Sequence, residues 1–124
     1  MEKLIIGHTE DTPNVRFEPE TGVFCIEGRS LPENAVAFYN PILDWLKQYE
    51  ESEQKGFNFD FKLDYFNTAS AKQITKVLIQ LQQMSLNFDI KVNWHYYVED
   101  ADIMASGMRF AKLIKANIEL LPYE

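Results

Sequence analysis

A single α/β (α+β) domain, with a mixed β-sheet and helices packed mainly on one face, is the fold the sequence predicts. Three observations carry that expectation. Strand-like and helix-like patterns alternate along the chain, two strand-like runs switch strictly between apolar and polar residues, and a hairpin signal lies near the start. The length of 124 residues is close to the commonest size for one domain and can hold a core without metal or disulfide staples.

Leu4 to Ile6 begins a short strand and Val15 to Glu18 a second. Glu18-Pro19-Glu20-Thr21-Gly22 then turns the chain into Val23 to Gly28. Pro19 fixes φ and Gly22 tolerates positive φ, so a hairpin is expected. Residues 32–53 read as helical in two parts, with Asn40 as a cap and Pro41 at the first helical position, where its missing N–H costs nothing. Ile42, Trp45, Leu46 and Tyr49 then share one apolar face; Glu33 to Tyr39 forms a separate turn or a kinked extension.

The clearest strand is FNFDFKLDY, where Phe57, Phe59, Phe61, Leu63 and Tyr65 alternate with polar residues. A second such run is IKVNWHYYV, with Ile90, Val92, Trp94, Tyr96 and Val98 on one side. Strict alternation describes a sheet buried on one face and wet on the other, which is why the helices are expected on one side. Between the two runs, Ala71, Ile74, Val77, Leu78, Leu81 and Met84 form the inner stripe of a helix from about Ser70 to Met84. Strand, helix and strand in sequence favour parallel strands joined by a right-handed crossover. A last helix runs from about Asp100 to Lys115, opened by the acidic run Glu99-Asp100-Ala101-Asp102, which suits the positive end of the helix. NIELLPYE closes the chain as a short edge strand.

Composition excludes several functions. The formal charge of −7 would repel a phosphate backbone, so nucleic acid is not an expected partner. Cys25 is alone, which excludes an intrachain disulfide or a cysteine zinc cluster; its neighbours VFCIEG read as a packed strand. His8 and His95 have no ligand spacing, and there is no glycine-rich phosphate loop or GxSxG. No metal or cofactor is expected. MEKLIIGHTED has three consecutive apolar residues, too few for a signal-peptide core, and no later stretch could span a membrane. A cytoplasmic protein is expected.

One stretch remains unabsorbed. DYFNTASAK places small polar residues between the aromatic strand and the next helix. Two cappings compete: Ser70 with Gln73 fits an S-x-x-Q capping box, leaving the Thr68 hydroxyl free, or Thr68 itself caps. A phosphate at Thr68 would bring about −1.5 to −2 charges to the positive end of a helix, with Lys72 one turn along. The other readings are a small ligand-binding or enzymatic domain using Asp60, Asp64 and His95 on the polar sheet face, or a structural interaction module.

DYFNTASAK resembles the phospho-acceptor segment of the SiaC family of bacterial regulatory phosphoproteins. GVFCIEGRSLPENAVAFYNPILDWLKQY resembles the same family in its strand, its Gly-x-Ser-x-Pro-Glu-Asn turn and its Tyr-x-Pro helix. The resemblance implies a STAS-like fold, related to anti-sigma-factor antagonists, and a non-enzymatic switch without cofactor. By position the acceptor would be Thr68, with Asn67, Ser70 and Lys72 around it for partner contact and Ser70 as the nearest competing hydroxyl. It also implies three partners: a protein kinase, a PP2C-type phosphatase, and a diguanylate cyclase activated by the unphosphorylated form, which would influence cyclic-di-GMP and biofilm formation.

Overall fold

Residues 1–115 and 117–123 are described in a computed structural model. The elements in chain order are β1 (Leu4–Ile6), β2 (Asn14–Glu18), β3 (Val23–Ser30), α1 (Ala35–Ser52), β4 (Phe57–Phe66), α2 (Thr68–Met84), β5 (Ile90–Tyr96), α3 (Ala101–Leu113) and β6 (Asn117–Pro122). The six strands form one sheet in the order β1-β2-β3-β4-β5-β6. β1, β2 and β3 are antiparallel neighbours, and β3 to β6 run parallel. The sheet is therefore mixed, as expected.

Spatial order equals chain order, so each parallel crossover steps in the same direction. Right-handed crossovers then place α1, α2 and α3 on one face. Burial follows this: Val15, Phe17, Phe24, Ile26, Phe59, Phe61, Val92 and Trp94 are covered, whereas Arg16, Glu27 and Asn58 on the other face are exposed. The covered face is largely aromatic; Phe24 and Phe57 stack with centroids 4.2 Å apart, and Trp45 and Tyr49 of α1 close over them. The hairpin forms as read, with Gly22 at φ 76° and its N–H donating to Glu18 O over 2.9 Å.

Four expectations need correction. Residues 35–52 are one helix, capped by Asn34 and carrying Pro41 inside it. The proline removes the bond to the Ala37 carbonyl, a cost of about 3 kcal/mol. Burial of Ala35, Tyr39, Ile42, Leu46 and Tyr49 along one continuous stripe offsets it, at roughly 1.5–3 kcal/mol for each large side chain. Tyr65 is exposed rather than inward: Gly28 opposes Leu63 but Arg29 opposes Tyr65. Asp64 is thus the extra residue of a bulge that reverses the alternation and turns Phe66 toward the core. β5 ends at Tyr96, because the Tyr97 carbonyl accepts from Asp100 N at 2.9 Å as the chain turns into α3; Val98 is exposed. Cys25 lies on the open face, half-buried between Arg16 and Asp60, and not in the core.

Candidate functional site

Asn67 is the single residue between β4 and α2, and it is the helix cap. Its Oδ1 accepts from Ser70 N at 2.9 Å, its carbonyl accepts from Ala71 N at 2.9 Å, and its own N–H donates to Ser30 O at 3.1 Å. This replaces both cappings read from the sequence. Ser70 does not cap, and Gln73 does not reach back to it. Asparagine is among the strongest caps, and the end of β3 holds it in place.

Ser70 is fully buried and has a different task. Its hydroxyl donates to Ser30 O at 2.9 Å and accepts from Ser30 Oγ at 2.9 Å. The single Ser30 proton is thereby used, so the 2.6 Å contact to Tyr39 is a donation from the tyrosine. The result is a one-way relay, Tyr39 to Ser30 to Ser70 to the Ser30 carbonyl, that ties α1, β3 and α2 together. Burial pushes the Tyr39 phenol up to about 12, against the opposing effect of its bond to Ser30. Ser70 therefore lies in the floor beneath the helix start, shut off from solvent.

Thr68 is exposed at the first position of α2, and its hydroxyl has no hydrogen-bond partner among the described residues. Ala69 and Lys72 are exposed beside it, and Asn67 is half-buried with its side chain committed to the cap. A groove runs between the starts of α1 and α2, walled by Glu33 to Val36 on one side and by Thr68, Ala69, Lys72 and Gln73 on the other. The sequence reading did not anticipate Gln73 in this wall or the Ser30–Tyr39 pair below it. Ser30 and Tyr39 stood in the Gly-x-Ser and Tyr-x-Pro segments and Gln73 in the capping box, but nothing local in the sequence brings the three together.

The open sheet face brings together two of its three candidates. Asp60 Oδ1 lies 2.9 Å from His95 Nε2 and accepts from Asn93 Nδ2 at 3.0 Å. His95 also stacks on Tyr123 with centroids 5.6 Å apart. Asp64 is elsewhere, exposed at the bulge beside the loop that carries His8. Cys25, opposite Asp60 in the neighbouring strand, has its thiol pushed up to about 11 by burial, which leaves it a poor nucleophile. Among the described residues, no three His, Cys, Asp or Glu side chains are grouped to hold a metal ion, and no helix is long and apolar enough to cross a membrane.

Residues 6–123 match the family model described as SiaC family regulatory phosphoprotein. The chain belongs to the SiaC family. A protein of Pseudomonas aeruginosa strain UCBPP-PA14, described as uncharacterized, is 28% identical over 97 residues, covering 77% of each chain. Among solved structures, apo-SiaC of Pseudomonas aeruginosa is 23% identical, covers 98% of this chain and 99% of its own, and superposes with a TM-score of 0.88. A chain from the crystal structure of the diguanylate cyclase SiaD in complex with its activator SiaC, also from Pseudomonas aeruginosa, is 22% identical. It covers 97% of this chain and 99% of its own, with a TM-score of 0.91. The α/β fold is thus shared with SiaC along nearly the whole length.

Proposed function

We propose that this SiaC-family protein is a non-enzymatic cytoplasmic switch whose state is set by phosphorylation of Thr68. A partner kinase adds the phosphate, a PP2C-type phosphatase removes it, and the unmodified form binds and activates a diguanylate cyclase. The observation that carries this reading is Thr68 itself: an exposed hydroxyl, unpaired among the described residues, at the first position of α2, where the helix end is positive. Asn67 caps the helix, so modification of Thr68 leaves the cap intact. Lys72 offers a counter-charge one turn along. The Pseudomonas relative seen with a diguanylate cyclase is described as its activator, which supports the third partner.

Phosphate adds charge and bulk to the surface a partner must cover, and an interface without cations to meet it loses affinity. Incubation with the cognate kinase and ATP, followed by intact-mass and peptide analysis, should place one phosphate on Thr68. Thr68→Ala should accept none and should activate the cyclase constitutively. Phosphate found only at other residues, or a Thr68→Ala protein that still switches, would refute this function.

A further inference from the structure

We propose that the groove between the starts of α1 and α2 is a phosphate-binding site that receives, in cis, the phosphate of phosphorylated Thr68. The inference rests on Thr68 being the acceptor and concerns where its phosphate goes.

A helix leaves its first amide donors without acceptors. In α2, Asn67 serves Ser70 N with its side chain and Ala71 N with its carbonyl, so the N–H groups of Thr68 and Ala69 remain. In α1, Asn34 does the same for Ala37 N at 3.1 Å and Phe38 N at 3.0 Å, leaving Ala35 and Val36. None of these four donors has an acceptor among the described residues, and all four residues line the one groove. Two positive helix ends therefore face the same space, the arrangement that favours a phosphate.

A separate observation points to a ligand there. Gln73 stands in the groove wall at 4% exposure, and its Oε1 is buried without a partner. A side chain that is almost wholly buried and makes no hydrogen bond has lost its water without a replacement, which an acceptor reaching its N–H would supply. With Oε1 sealed, the amide atom that keeps accessible surface is Nε2, a donor without a hydrogen-bond partner among the described residues. Lys72 adds a formal positive charge, and Glu33 is the one carboxylate of the lining, opposing it. Because Thr68 is itself part of the wall, a phosphate on its Oγ1 enters the groove without moving either helix. It then pins the two helix starts together, and a partner that reads the empty groove is excluded by occupancy as well as by charge.

Two NMR measurements on the full 15N-labelled chain test this. Inorganic phosphate added to the unmodified protein should shift the amide signals of Ala35, Val36, Thr68 and Ala69 saturably, together with the Gln73 side-chain amide. Sodium chloride at equal ionic strength should not. In the protein phosphorylated by its kinase and mapped by peptide mass, the 31P titration midpoint should fall by about one unit or more below the value of ~6 for a free phosphothreonine. The Val36 amide should titrate with it. Gln73→Leu should return the midpoint toward ~6, and Glu33→Gln, an exposed change that spares the core, should lower it further. A midpoint at ~6 with Ala35 and Val36 unmoved, in protein mapped as phosphorylated on Thr68, overturns the groove while the switch stands. Phosphate mapped elsewhere overturns the cis arrangement, and the inorganic phosphate titration then still decides whether the groove takes the anion.

Discussion

A methyl group added at Gly107 would run into the indole of Trp94, which packs against α3 and donates from Nε1 to Ile103 O at 2.9 Å. Glycine is needed there for the closeness of a helix to a ring, and not for backbone freedom. Gly107→Ala should cost about 1–3 kcal/mol, read as a lowered urea midpoint with unchanged slope. Residue-level roles were the least legible from sequence. The stretch Asn67-Thr68-Ala69-Ser70 offers three capping side chains in four positions, and local pattern alone cannot rank them. The ranking comes from β3: Ser30 O holds both the Asn67 amide and the Ser70 hydroxyl, a contact across 40 positions. Thr68 was singled out by its position in the family resemblance, since one of the two cappings read from the sequence would have used its hydroxyl.

Among the elements, the hydroxyl relay links α1, β3 and α2 at the end where Thr68 lies. Tyr39→Phe removes the first donor and leaves Ser30 with an unfilled lone pair, so it should destabilise by about 1 kcal/mol. Ser30→Ala strands both the tyrosine proton and a Ser70 lone pair and should cost more, about 1–3 kcal/mol. Chemical denaturation of the two variants and the double variant checks this, with less than additive losses expected because the groups share one chain of bonds. The elements themselves were legible. Alternation in 57–63 and 90–96 and the stripe of α2 survive intact because a face that must be buried imposes its period on the sequence. Pro41 misled because a proline is a strong local stop, and only the packed stripe around it shows why the helix runs on. The bulge at Asp64 was invisible, since an extra residue exists only relative to a neighbouring strand.

For the molecule as a whole, weak acids whose pKa is raised in the fold, Cys25 and Tyr39 among them, set an alkaline limit. The Cys25 thiol rises from an ordinary 9.0 to about 11, and the Tyr39 phenol from 10.0 to about 12, both chiefly by burial. Between each pair of values the native state holds a proton the unfolded chain has released, so stability falls as pH rises. Their contributions are complete below about pH 9 and are lost in turn up to about pH 12. Urea midpoints measured from pH 8 to 12 should decline progressively, and Tyr39→Phe should flatten the upper part of that decline. One-sided covering by helices was readable from the polar alternation of β4 and β5. The strand order was not, because alternation says which face is wet and nothing about which strand lies beside which.

That order has a bearing on how the chain is made. Every strand pairs with the one synthesised just before it, and no later segment has to be threaded between strands already joined. A nascent chain leaving the ribosome can add each helix and strand to a growing edge, first residue to last, without holding an open slot for a distant piece. The start of α2, with Thr68 on it, is then in place against β3 before β5, α3 and β6 have emerged.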